Sequence, residues 1–136
     1  MDKYRHANLV LSKFSHEYVH LLNDLPIRPS EMGVVNIIVH YEEKLTPLAI
    51  AKILSVSKTM VAMHVASLER EGYIKKEPSI GDKRSFFVLP TEKAKKLSAQ
   101  VEERQYEKMI RLENAMGNDM FEALVTLVDW AQKTIF

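Results

Sequence analysis

The amino-acid sequence predicts a single, mainly α-helical domain that carries one small β-hairpin. Its 136 residues correspond to about one domain. Apolar residues recur every three or four positions along most of the chain, which is typical of helices, and the period changes only after Gly72. A hydrophobic content of 46% and a charged content of 27% are those of an ordinary globular protein, and the absence of cysteine excludes disulfides, thiolate metal sites and thiol redox chemistry.

The first two helices are predicted from apolar spacing and from proline. The first helix carries one stripe at alternating spacings of four and three, made of Ala7, Leu11, Phe14, Tyr18, Leu21 and Leu25. Pro26 and Pro29 are expected to end it. Ser30 then offers a side-chain cap for a second helix, whose interior is Val34, Val35, Ile37, Ile38 and Tyr41.

The third and fourth helices have strong start signals and a short turn between them. Thr46 offers a capping hydroxyl and Pro47 takes the first helical position, so a short helix should end near Leu54. Ser57 caps a fourth helix that runs to about residue 71, where Gly72 supplies the left-handed turn.

The fourth helix is predicted to have one packing face and one presenting face. At 100° per residue its narrow apolar stripe consists of Val61, Val65 and Leu68. The opposite face is made of Thr59, Met63, Ala66 and Arg70. Two β-prone segments follow, 73–77 and 85–89, and the connection between them contains Lys83 and Arg84. This pattern predicts a hairpin with a basic tip.

Two further helices complete the chain. Pro90 and Thr91 start a long fifth helix, and Asn118 or Asp119 is expected to cap the last one, with Glu122 as a capping-box partner. The last helix has two apolar stripes, one of Phe121, Leu124, Val125, Val128 and Ile135 and one of Met120, Leu127 and Trp130. One neighbouring helix cannot cover both, so we expect a second copy of the chain to do so.

Positive charge is concentrated in the middle of the chain. Residues 52–96 have ten Lys or Arg and five acidic residues, whereas the whole chain has a net charge of only +1. A basic module on a more acidic scaffold is typical of a protein that faces nucleic acid, although a solvated helix face would give the same distribution.

The order helix, tight turn, amphipathic helix and basic hairpin is that of a winged helix-turn-helix. Residues 45–94 resemble the multiple-antibiotic-resistance regulator (MarR) family of bacterial transcription factors. The resemblance rests on the motif Val-Ser-Lys-Thr at 56–59, on Leu-Glu at 68–69 followed by Gly-Tyr-Ile at 72–74, and on Asp82-x-Arg84 with Thr91 seven residues later.

The resemblance implies a homodimer that binds a near-palindromic operator on double-stranded DNA. It implies that segments 1–29 and 91–136 of a single 1–136 domain dimerise, while 30–90 form the winged helix-turn-helix. The recognition helix would enter the major groove and the wing the minor groove. The expected DNA-binding residues are Ser57, Lys58, Thr59, Met63, Lys83 and Arg84. Asp82 is expected to stabilise the wing.

Four positions depart from the family pattern. Met63 stands where many members have a basic residue and Met60 where Ser or Thr is usual, which predicts an A·T-rich operator because apolar side chains contact thymine methyl groups. Pro90 and Ala94 replace a common leucine and a common glycine at the junction between the wing and the fifth helix.

The histidines offer a weak metal hypothesis. His16 and His20 are four residues apart, a spacing that lets two imidazoles share one ion, and some family members respond to zinc. No Asp, Glu or further His at helical spacing completes a set of four metal ligands, so a polar or subunit-facing role is favoured for the two histidines. No cofactor is expected.

The sequence therefore predicts a transcriptional regulator, most simply a repressor, and not an enzyme. The alternative is a winged-helix module that binds another protein without specific DNA binding. A small-molecule effector of unknown identity is possible in the family. Residues 1–6 lack the pattern of an export signal and no apolar run is long enough to span a membrane, so a cytoplasmic location without membrane contact is expected.

Overall fold

A computed structural model describes residues 2–81 and 84–136 and confirms the predicted fold class. In chain order the elements are α1 (Lys3–His20), α2 (Pro29–His40), α3 (Pro47–Leu54), α4 (Lys58–Arg70), β1 (Ile74–Pro78), β2 (Phe86–Pro90), α5 (Glu92–Met116) and α6 (Asn118–Ile135). The chain divides into two compact units, one ending at Val101 and one running from Glu102 to Phe136.

The first helix is shorter than its apolar stripe predicts. The Asp2 side chain accepts hydrogen bonds from the backbone of Tyr4 and Arg5 and caps the start of α1. The helix ends at His20, and the next residues form i to i+3 turns, beginning with the bond from Leu21 N to the Tyr18 carbonyl. Leu21 and Leu25 therefore lie outside α1, so the prediction that Pro26 ends this helix was wrong. The tighter turns end it first.

Pro29 starts a helix instead of ending one. It is the first residue of α2, with Arg28 as the N-cap, so the prediction that Ser30 caps this helix was wrong. Glu31 is buried, and its carboxylate accepts a hydrogen bond of 3.1 Å from the Arg28 backbone N–H. Proline suits this first position because its fixed φ matches the helix and its missing N–H would have no partner there.

The helix-turn-helix follows the predicted capping. The Thr46 hydroxyl accepts from Ala49 N at 3.2 Å, and the Ser57 hydroxyl accepts from Met60 N at 3.1 Å. Between the helices Ser55 adopts a left-handed conformation with φ of 56°, which reverses the chain within a few residues. Gly72 ends α4 with φ of 82°, as predicted.

The hairpin is displaced by one residue from its predicted limits. β1 and β2 pair antiparallel with Ile74 opposite Pro90 and Pro78 opposite Phe86. Leu45 adds an isolated bridge, because its carbonyl accepts a hydrogen bond of 2.8 Å from Val88 N. The segment before α3 therefore holds the hairpin against the helix-turn-helix.

The start of α6 also differs from the prediction. Gly117, with φ of 87°, is the N-cap and no side chain caps the helix, so the capping arrangement proposed for Asn118 or Asp119 with Glu122 was wrong. Asn118 is already the first helical residue. A glycine can take this backbone conformation at low cost and turns the chain between α5 and α6.

The core of the unit that ends at Val101 is made by α2, α3, α4, the hairpin and the start of α5. Its fully buried large side chains are Met32, Val34, Val35, Ile50, Val61, Leu68, Val88 and Val101. By contrast, none of the residues of α1 or α6 is buried. Within the described residues no single helix is long and apolar enough to cross a membrane, and α3 with α4 meets that test only as a pair bent by 117°.

Candidate nucleic-acid interface

The two faces of α4 are divided as predicted. Val61, Val65 and Leu68 are buried against the core. Thr59, Met63, Ala66 and Arg70 are exposed. Met63 is 64% exposed and Met60, one turn earlier, is 44% exposed. The presenting face is therefore reachable along the length of the helix, and it contains the thioether of Met63, with that of Met60 at its edge.

The N-terminal end of α4 brings together a cap and two predicted contact residues. Ser57 lies just before the helix, where its hydroxyl accepts a hydrogen bond from the Met60 N–H. This side chain therefore stabilises the start of α4, independently of any contact with DNA. Lys58 and Thr59 are the first two helical residues and both are exposed. Unpaired backbone N–H groups at a helix start favour anions, and Lys58 adds a full positive charge there.

An open cleft lies between α3, α4 and the hairpin. Its volume is about 500 Å³. It is lined by Thr46, Pro47, Leu48, Lys58, Ala62, Val65, Ala66, Lys76, Arg84, Ser85 and Phe86. The three cations among them come from the start of α4, from β1 and from the turn before β2. Residues far apart in sequence thus contribute positive charge to one concave surface.

Lys76 is a cleft residue that was not among the predicted DNA-binding residues. Its ammonium lies 3.4 Å from the Glu69 carboxylate and 4.7 Å from the centroid of the Phe86 ring. Lys76 of β1 pairs with Val88 of β2, and Phe86 lies two residues before Val88 in β2. The side chains of Lys76 and Phe86 therefore share one face of the hairpin. The position of Lys76 beside Phe86 depends on the pairing register of the hairpin. The strand limits predicted from the sequence were displaced by one residue, so they did not give this register.

The base of the wing is described, whereas part of its tip is not. Arg84 is exposed and lines the cleft, together with Ser85 and Phe86. A hydrogen bond of 3.3 Å from Ser79 N to the Ser85 carbonyl continues the hairpin beyond Pro78. Asp82 and Lys83 lie outside the described residues, and their predicted roles in stabilising the wing and contacting DNA stay predictions.

The opposite end of α4 is held by the junction between β2 and α5. The Lys93 ammonium donates to the Glu71 carbonyl at 2.7 Å and lies 4.4 Å from the centroid of the Tyr73 ring. Ala94 is fully buried and Pro90 ends β2, so both departures from the family pattern are accommodated within a regular junction.

The two histidines of the metal hypothesis are close, but no third ligand joins them among the described residues. The rings of His16 and His20 are stacked with centroids 6.0 Å apart, on an exposed part of α1. His20 also shares a short hydrogen bond with the Asn23 side chain. Across residues 2–81 and 84–136, no group of three or more His, Cys, Asp or Glu residues is arranged to hold a metal ion.

A helix-turn-helix with a hairpin packed beside its second helix is a winged helix-turn-helix, the fold class of many transcription regulators. Residues 25–85 match the model of the MarR family. This match covers the helix-turn-helix and most of the hairpin, and it supports a winged-helix regulator of the MarR type. It agrees with the expectation of a transcription regulator.

Solved structures of low sequence identity share the fold. The chain resembles FabT of Streptococcus pneumoniae in complex with DNA, with 22% identity, a TM-score of 0.78, and coverage of 98% of this chain and 99% of that one. It resembles the Staphylococcus aureus MepR–DNA complex with 17% identity, a TM-score of 0.75, and coverage of 100% and 99%. A MarR transcriptional regulator from Methanosarcina mazei Go1 matches with 18% identity, a TM-score of 0.76, and coverage of 96% and 94%. No curated protein matches the chain.

Proposed function

We propose that this protein is a homodimeric repressor that binds a near-palindromic operator, with α4 in the major groove and the wing in the minor groove. The observation that carries the proposal is the position of Lys58 and Arg84 on one cleft, beside the exposed face of α4. A protein that neutralises phosphates with several cations gains affinity by releasing counterions. FabT and MepR, which share this fold, were solved in complex with DNA, and this supports DNA binding by the present chain.

Each predicted contact residue has a distinct role in this proposal. Lys58 and the amide groups at the start of α4 contact phosphate, and Thr59 and Met63 face the base edges. Arg84 and Lys83 extend to the adjacent minor groove, where a narrow A·T-rich segment has an enhanced negative potential. Asp82 stabilises the wing. Ser57 caps the recognition helix and orients its first turn.

The unburied apolar residues of α1 and α6 support dimerisation. On α1 the large exposed apolar side chains are Tyr4, Leu9, Val10, Leu11, Phe14 and Val19. On α6 they are Met120, Val125, Leu127, Val128, Trp130 and Ile135. Monomeric soluble proteins rarely expose large contiguous apolar patches, and residues three or four apart on one helix, such as Leu11 with Phe14 and Val125 with Val128, are neighbours on its surface. We therefore retain 1–29 and 91–136 as the dimerisation segments and 30–90 as the winged helix-turn-helix.

Repression follows from occupancy of a promoter by the dimer. Two recognition helices reach successive major grooves about 34 to 36 Å apart, so the half-sites are expected about one helical turn apart. A regulator of this kind acts in the cytoplasm, where it meets the chromosome. An effector that prefers a dimer with a different half-site spacing would release the operator by population shift.

Selection of genomic fragments bound by the purified protein, followed by sequencing, tests this function. We expect recovery of an A·T-rich inverted repeat located upstream of a gene or operon. Recovery of fragments without a common motif, at the frequencies of the input library, would remove the operator from the proposal.

The exposed methionines favour a second candidate function. Met60 and Met63 make the presenting face of α4 less polar than a base-reading surface usually is, so the same fold can hold another protein. In that case a pull-down would recover a stable partner, and the protein would show no salt-sensitive DNA binding.

A further inference from the structure

Met60 and Met63 form an oxidisable pair on the surface that would face DNA. They are three residues apart on α4, so they are neighbours on one side of the helix. Both side chains are substantially exposed, whereas Met32 is fully buried in the core. A dissolved oxidant can therefore reach the thioethers of α4 while the fold is intact.

We propose that Met60 and Met63 are sites of reversible oxidation by peroxide, and that this oxidation weakens DNA binding. The proposal rests on the proposed function, because its readout is operator affinity. The chain has no cysteine, so any oxidant response of the polypeptide itself must use another side chain. Thioethers react with two-electron oxidants, and peroxides belong to this class.

The reaction adds one oxygen atom to the sulfur. Hydrogen peroxide transfers an oxygen to the thioether, an S–O bond forms, the O–O bond breaks, and the peroxide leaves as water. The sulfur loses two electrons and the peroxide gains them. The product sulfoxide is returned to the thioether by methionine sulfoxide reductases, with one enzyme for each of the two epimers.

Oxidation of Met60 and Met63 would affect DNA binding because of where the two residues lie on α4. Met60 lies in the first turn of α4, where its backbone N–H donates to the Ser57 hydroxyl, and Met63 lies one turn later. The N-terminal residues of a recognition helix are those that contact base edges. A sulfoxide is more polar and bulkier than a thioether. It would therefore place a polar S–O group against thymine methyl groups, which offer it no hydrogen bond.

The test compares oxidised and untreated protein on one duplex. The full-length protein is treated with graded hydrogen peroxide, the peroxide is removed with catalase, and peptide mass spectrometry locates each sulfoxide. Affinity is measured by fluorescence anisotropy with a labelled duplex of the genomic fragment recovered by selection. We expect sulfoxide at Met60 and Met63 before Met32, and a loss of affinity of about tenfold, equivalent to one lost side-chain contact of ordinary strength.

Two variants distinguish this pair from the other methionines. Each protein is compared with its own untreated form, so a change in basal affinity does not matter. The double variant Met60→Leu with Met63→Leu keeps apolar side chains that peroxide does not oxidise, and its affinity should not respond. Met120→Leu removes a thioether of α6 that lies on the proposed dimerisation face and not on α4, and should leave the sensitivity to peroxide in place.

The outcomes separate this inference from the proposed function. If wild-type protein with sulfoxide at Met60 and Met63 binds as tightly as untreated protein, the inference is overturned and the function stands. A double variant that loses affinity as the wild type does also overturns it. If untreated protein shows no specific DNA binding, the proposed function itself has failed. Restoration of affinity by the two reductases together supports reversibility, and its failure refutes that part.

Discussion

The hydroxyl of Thr91 donates a hydrogen bond of 2.7 Å to the backbone carbonyl of Gly72. The same hydroxyl accepts from Ala94 N at 3.4 Å and so caps the start of α5. One side chain therefore joins the residue that terminates the recognition helix to the first turn of the next helix. With the Lys93 bond to Glu71, it fixes the C-terminal end of α4 relative to the hairpin.

Loss of this hydroxyl should destabilise the domain. Thr91→Val keeps the shape of the side chain but removes both the donor to Gly72 and the cap of α5, so the free energy of unfolding should fall by about 1 to 2 kcal/mol. Urea denaturation measures it. Thr134→Val is the matched control, because the Thr134 hydroxyl donates only to its own helix at Trp130, and the change should stay within about 0.5 kcal/mol. Equal effects of the two substitutions would contradict the role given to Thr91.

Ser57 allows stability and DNA binding to be separated. Ser57→Asp retains an oxygen that accepts the Met60 N–H, and its charge suits a helix start, so stability should be kept to within about 0.5 kcal/mol. The same carboxylate would face phosphate, and operator affinity should fall by about tenfold or more. Ser57→Ala is the counterpart that loses the cap, with a cost of about 1 kcal/mol. Unchanged affinity in the aspartate variant would place this end of α4 away from the duplex.

Arg84 is expected to act through DNA and not through the fold. Arg84→Ala should lower operator affinity by about tenfold and reduce the slope of the salt dependence by about 1 for each subunit. Thermal unfolding monitored by circular dichroism should remain near the wild-type midpoint. Arg5→Ala removes the same charge from the exposed surface of α1 and serves as the control, with gel filtration to show that both variants remain dimers. If both variants bind as the wild type does, the wing takes no part in binding.

The sequence predicted the helix-turn-helix more accurately than it predicted the regions around it. Thr46 and Ser57 accept hydrogen bonds from backbone N–H groups three residues later, and Pro47 acts through its own fixed φ, so these roles could be predicted locally. The hairpin register depends on pairing across the chain, so Lys76 could not be placed in the cleft. The role of Pro29 was predicted wrongly because proline can follow the end of one helix or begin the next, and no Ser, Thr, Asp or Asn directly precedes Pro29 to indicate a helix start, as Thr46 does before Pro47.

Thymine methyl groups provide a test of base reading by Met63. Replacing thymine by uracil at the contacted positions of the selected duplex removes one methyl group and no hydrogen-bonding group. Wild-type affinity should fall about fourfold for each contacted methyl, equivalent to about 0.8 kcal/mol of apolar burial. Met63→Ala should bind both duplexes with the same affinity, since the contact is already absent. If Met63→Ala also bound the uracil duplex about fourfold more weakly than the thymine duplex, another side chain would make the methyl contact.

An equilibrium titration at several salt concentrations tests whether α4 and Arg84 bind the same DNA duplex. The selected fragment and a scrambled duplex of the same length and composition are compared by fluorescence anisotropy. We expect the logarithm of the binding constant for the selected fragment to fall linearly with the logarithm of salt concentration. We also expect this fragment to bind about 10³-fold or more tightly than the scrambled duplex. Equal affinity for both duplexes, or binding that does not respond to salt, would show that the protein does not recognise an operator through these residues.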